Sequence, residues 1–190
     1  MPNQSVLTEK EQELIAVGAS IAAGCQPCTT YHFRAARIAG ADDEEIHQAV
    51  SNALRVRHSA TRVMARIGGS HLGEVPTSET ACCEDGTLIS ELISVSAAFA
   101  VNCTTNLETH LAAARQQGAT DSQILTALKI ACAVKGTAGK KVEAAAAKAL
   151  GVTEDQSDDC GCDDTSQSSS ASAGCSCGET ERAVPTFRAK

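Results

Sequence analysis

The sequence predicts an all-α protein in which one helical unit occurs twice and a polar tail follows. Three observations carry that prediction. Apolar residues recur at helical spacing and no segment shows convincing period-two alternation, so essentially no sheet is expected. The chain also repeats itself at a constant offset, and alanine is used heavily throughout residues 12–149 while aromatics make up only 2%. Small side chains of that kind favour helices whose backbones approach closely.

The first helix opens with Thr8 and Glu11, the S/T-x-x-E spacing of a capping box, and Leu14, Ile15, Val17, Gly18 and Ile21 then follow at helical intervals. It is expected to end near Gly24. A second helix spans about Pro27 to Ala39 and stops at Gly40, because glycine tolerates the left-handed conformation wanted just past a helix C-terminus. A third begins after Asp42 or Asp43 and runs as far as Ile67, where Gly68 and Gly69 are expected to break it. The second unit repeats the plan, with helices near 87–101, 104–117 and 121–135 and a further one near 138–150 ending at Gly151. Thr120 and Gln123 supply its capping box.

Residues 13–60 lie over residues 91–138 at an offset of 78 without a gap. Shared alanines alone would mean little between two alanine-rich helices, but Glu13, Cys25, His32, Arg37, Gly40 and Asp43 also recur, as Glu91, Cys103, His110, Arg115, Gly118 and Asp121. This is an internal duplication. It divides the chain into a first repeat (1–67), a connector with Cys82 and Cys83 (68–86), a second repeat (87–152) and a Ser-, Asp- and Gly-rich tail (153–190). The tail has too little apolar surface to offset ordering entropy and is expected to be disordered.

The charge of −7 is a property of that tail: residues 152–190 hold eight acids and three bases, net −5, which leaves −2 for the rest. No basic stripe accompanies stacking aromatics, so nucleic acid is not an expected partner. The N-terminus lacks the basic and apolar regions of a signal peptide, and no run reaches the length of a membrane span. A reducing cytoplasm is the default compartment, and there ten cysteines are expected to be catalytic or metal-binding rather than structural.

The segment Cys25-Gln-Pro-Cys28-Thr-Thr-Tyr-His32 puts two sulfurs and an imidazole on one helix face. A cysteine pair at a helix N-terminus suits redox work, since unpaired amides and the helix dipole favour thiolate over thiol, and Pro27 fits the first turn. His32, one turn beyond Cys28, is positioned to take its proton. Glu13 is available to orient the imidazole if the first helix packs alongside.

Glutamate, eleven residues, CxxC, three residues and histidine together resemble the active-site signature of the alkyl hydroperoxidase D (AhpD) branch of the carboxymuconolactone decarboxylase family, over about residues 8–150. The resemblance implies an AhpD-like helical bundle, thiol-dependent peroxide reduction with no required cofactor, and assembly as a homo-oligomer, a trimer or higher. It assigns Cys28 as nucleophile, His32 as its base, Glu13 behind the histidine and Cys25 as the resolving thiol. The reductant would be a lipoyl group or a thioredoxin-like protein, with a peroxiredoxin as a further partner. Two departures stand out: Pro27 occupies the position where those proteins usually carry histidine, and the motif sits in the earlier copy. The second repeat keeps Glu91, Cys103 and His110 but has Asn106 in place of the second cysteine, which reads as a degenerate copy retained for packing.

Other readings compete. A structural zinc half-site would need a second CxxC in the core, and there is none. Cys82, Cys83, Cys160, Cys162, Cys175 and Cys177 form three close thiol pairs, which suit either capture of a thiophilic metal or metalloid (copper, zinc, mercury, arsenite) or relay of electrons to Cys25 and Cys28. A scavenger on a helical scaffold is thus the alternative to an oxidoreductase. A third reading is lactone decarboxylation by acid–base chemistry, which makes no use of the cysteine pair. Cys132, in the apolar stretch ACAV, is expected in the core, and His47, His58 and His71 at the surface.

Overall fold

A computed structural model describes residues 6–73 and 86–151. Among them are six helices and no strand: α1 (Glu9–Ala23), α2 (Gln26–Ile38), α3 (Asp43–His71), α4 (Leu88–Ala100), α5 (Thr104–Gln116) and α6 (Asp121–Leu150). Cys82, Cys83 and the cysteines of the tail, with the disorder expected there, lie outside the described residues.

The helix starts follow the capping chemistry. Thr8 and Glu11 close a reciprocal box on α1, Thr120 and Gln123 close one on α6, and Asp42 with Glu45 closes a third on α3. Two expected breaks do not occur. α3 runs through Gly68 and Gly69 to His71, and α6 is one helix through Gly136 and Gly139 rather than two. Glycine inside a helix costs about 1 kcal/mol relative to alanine but removes no hydrogen bond, and none of these four takes a positive φ. α3 stops instead where Gly73 turns left-handed, at φ 80°.

The two repeats share one core. α1 and α4, which correspond through the duplication, pack against each other at the centre, and each also touches the third helix of the other repeat, α6 and α3 respectively. Small residues make the close approach workable. A Cβ at Gly18 would come within 2.6 Å of Ile93 Cγ2, so any larger residue there would force the Ile93 side chain or the helices to shift. Across the same contact the single Ser96 hydroxyl hydrogen is shared between Ile15 O, at 3.0 Å from Oγ, and Ile93 O of its own helix, at 2.8 Å. Ile15, Val17, Leu92 and Val95 are fully buried around this crossing, each contributing about 1.5–3 kcal/mol of burial.

The distal halves of α3 and α6 extend past this core. Beyond Ala60 and Ala138 most of their side chains are exposed, Met64 and Val142 among them.

Candidate active site

The C-terminus of α1 and the N-terminus of α2 meet in a tight reversal that sets the cysteines. Gly24 adopts φ 72°, Cys25 N–H returns to Ser20 O at 3.1 Å, and Cys25 becomes the N-cap of α2. Pro27 stands in the first turn, where a missing N–H costs nothing. That turn carries no acidic side chain, so its positive end faces the sulfurs. Cys25 and Cys28 are joined as a disulfide, and Cys28 N–H also donates to Cys25 Sγ at 3.3 Å.

Glu13, on α1, lies beside α2 and accepts a hydrogen bond from His32 Nδ1 at 2.8 Å. Bonding Nδ1 to the carboxylate fixes the ring and leaves Nε2 as its other basic position. Tyr31 packs edge-on to the imidazole, with ring centroids 5.0 Å apart. Cys28, Glu13 and His32 line one cleft of roughly 570 Å³, whose far wall is α6 of the other repeat: Ile130, Val134, Thr137 and Lys141. The four residues expected together in the first repeat are therefore together, and the cleft gives Cys28, not Cys25, its opening.

The second repeat reproduces the acid–imidazole pair in a closed setting. Glu91 accepts from His110 Nδ1 at 2.8 Å, as Glu13 does from His32, but these side chains are 6% and 3% exposed against 23% and 17% in the first. Cys103 is the buried N-cap of α5, a free thiol whose side chain makes no cap hydrogen bond. Asn106, in place of the second cysteine, is buried: its Nδ2 donates to Val56 O at 3.1 Å and its Oδ1 accepts from Ser59 Oγ at 3.0 Å. It binds α5 to α3.

Cys132 corrects an expectation: it is exposed, because the buried face of α6 runs through Ile124, Ala127, Ala131 and Val134, and position 132 turns away from it. His47, His58 and His71 are at the surface as expected. Among the described residues no group of three metal-ligating side chains converges, and no helix is long and apolar enough to cross a membrane.

Two contributors escape a reading of the motif alone. One is the wall from α6, which only the packing of the repeats brings to the cleft. The other is Arg57 on α3, whose Nη1 donates to Ile21 O at 3.1 Å and Ala22 O at 3.0 Å and so clamps the carbonyl end of α1 just before the cysteines. Its counterpart at the offset of 78 is Lys135, which binds Asn102 Oδ1 and lies over the Phe99 ring. A basic residue in the same register of both repeats was the available signal.

Fold and site together define a class: a duplicated helical protein with a disulfide-forming CxxC pair opening on a glutamate–histidine pair. The model of the carboxymuconolactone decarboxylase family matches residues 3–64 and 90–155, one match for each repeat, and the chain belongs to that family. No curated protein matches the chain.

Proposed function

We propose that the protein is a thiol–disulfide oxidoreductase of alkyl hydroperoxidase D type, reducing organic hydroperoxides at Cys28. One observation carries the reading. Cys28, at the first turn of α2, lines the same cleft as an imidazole whose Nδ1 is bonded to a carboxylate.

In the reduced enzyme His32 Nε2 takes the Cys28 proton, and the helix N-terminus favours the resulting thiolate. The thiolate attacks the terminal peroxide oxygen and the O–O bond breaks. The departing alkoxide receives the proton held by His32 and leaves as the alcohol, with Cys28 now a sulfenic acid. Cys25 attacks that sulfur, water departs, and the disulfide forms. One hydroperoxide and two thiols thus become one alcohol, one water and one disulfide. An external dithiol, a lipoyl group or a thioredoxin-like protein, restores the thiols by exchange, and a peroxiredoxin disulfide is an alternative oxidant. Homo-oligomer assembly belongs to the same reading, supported by exposed apolar side chains on the projecting helices, such as Met64 and Leu150.

The test is peroxide consumption with dihydrolipoamide as donor. Cys28→Ser abolishes turnover, while Cys25→Ser permits one oxidation and accumulates a trappable sulfenic acid. A double serine variant that consumes peroxide as fast as the parent overturns the assignment.

A further inference from the structure

The first repeat's cleft has a counterpart over the second. A cavity of roughly 400 Å³ lies against Glu91 and His110, and its far wall is α3. The duplication relates the two walls residue by residue: Ile130 and Ala133 of α6 correspond to Asn52 and Arg55 of α3. Where the thiol cleft has two apolar side chains at these positions, this cavity has an amide and a guanidinium. The second repeat has lost its second cysteine, and its cavity holds an amide and a guanidinium that the first cleft lacks.

Asn52 is only 2% exposed, and its amide is oriented. Arg55 Nη2 and Gln48 Nε2 both donate to Oδ1, the latter at 3.2 Å, so Nδ2 is the side left to donate. Nδ2 is buried and has no hydrogen-bond acceptor. Folded proteins rarely leave an interior donor unsatisfied, and an exception of this kind marks a place for a ligand or an ordered water. Leu14, Val56 and Ile93 supply apolar surface around it, and the volume is within the range of small-molecule sites.

We propose that this cavity binds a small uncharged carbonyl compound whose oxygen accepts from Asn52 Nδ2 and whose body lies against the apolar wall. Charge argues against an anion. Glu44, Glu45 and Glu91 all line the cavity, and Arg55, the nearest guanidinium, already donates to Asn52. A cation would meet the amide's donor edge. The site is independent of the cysteine pair and of the redox reading.

The experiment uses the full-length ¹⁵N-labelled protein, with cyclohexanone as the probe and cyclohexanecarboxylate as its anionic comparator. Cyclohexanone is expected to shift the Asn52 side-chain amide resonance in a saturable way and to bind more tightly than the carboxylate. Asn52→Leu, which keeps the branching at Cγ and removes the donor, is expected to weaken that binding about tenfold. An unmoved Asn52 amide means the cavity holds water only and overturns the proposal, as does equal affinity in the leucine variant. Preferential binding of the carboxylate overturns the ligand class. Should Asn52→Leu fail to fold, the amide shift in the parent decides alone.

Discussion

The same acid–imidazole pair occurs twice in this molecule with the same 2.8 Å separation, once at the wall of an open cleft beside two sulfurs and once almost wholly enclosed. The difference begins at one position. Cys28 in the first repeat leaves a sulfur at the cleft, whereas Asn106 in the second turns its amide to Val56 and Ser59 and ties α5 to α3. Duplication gave two equivalent frames, and the substitution leaves a disulfide-forming pair in one and cross-bracing in the other. A hydrogen-bonded acid–imidazole pair therefore does not by itself set the chemistry available at a site, since exposure and a neighbouring sulfur distinguish the two.

The largest expected effect separates the copies by activity. If His32 moves the proton of Cys28, His32→Gln lowers peroxide turnover by about 10²–10⁴-fold while the helical circular-dichroism signal is unchanged. Glu13→Gln acts in the same direction but less, because it disturbs the ring's orientation rather than its base. Turnover within a factor of two of the parent for His32→Gln would make the first pair as structural as the second.

Stability is expected to reverse that ranking. Removing one partner of an enclosed pair strands the other without solvent, so Glu91→Ala should cost about 3 kcal/mol in urea unfolding. Glu13→Ala, at a partly hydrated pair, should cost less than about 1 kcal/mol. Equal losses would show that burial does not distinguish the repeats energetically.

Asn106→Cys sharpens the comparison from the other side by restoring the CxxC spacing to the second repeat. Loss of the two Asn106 hydrogen bonds is expected to cost about 1–3 kcal/mol, and peroxide turnover should not double, because neither position 103 nor position 106 lines the cavity beside Glu91 and His110. A second, independent peroxidase site in this variant, detected with Cys25 and Cys28 both replaced by serine, would mean that the missing sulfur was the whole difference.

Much of this was legible in the chain itself. The offset of 78, the capping residues Thr8, Glu11, Thr120 and Gln123, and the face shared by Cys25, Cys28 and His32 are local or periodic signals, and local hydrogen bonding enforces them. What was not legible depends on which elements pack together. Gly68 and Gly69 were expected to break α3, and separate helices were expected on either side of residues 136–137, yet no left-handed turn is required at these positions and the hydrogen-bonding ladder continues through them. Cys132 sits among apolar neighbours in sequence but one step off the buried face of α6. The wall of the thiol cleft comes from a helix about a hundred residues away in sequence, which no motif around Cys28 announces.

The smallest expected effect concerns an ion pair that only the first repeat has. Lys10 Nζ lies 2.6 Å from Glu45 Oε1 and joins α1 to α3, whereas the corresponding positions of the second repeat are Leu88 and Gln123. The hydrogen bond from Lys10, aided by that from the Asp42 backbone, holds the Glu45 carboxyl below the usual carboxylate range. A carboxyl whose folded pKa is depressed stabilises the fold above its unfolded pKa, and that contribution disappears as the pH falls through the lower, folded value. Both side chains are about a third exposed, so solvent screens most of the attraction. Lys10→Leu, which gives the first repeat the second's residue, should therefore shift the melting temperature at neutral pH by no more than about 2 °C. The shift should vanish in acid, where the parent carboxyl is protonated as well. A larger shift that persists in acid would assign the effect of position 10 to packing between α1 and α3 rather than to charge.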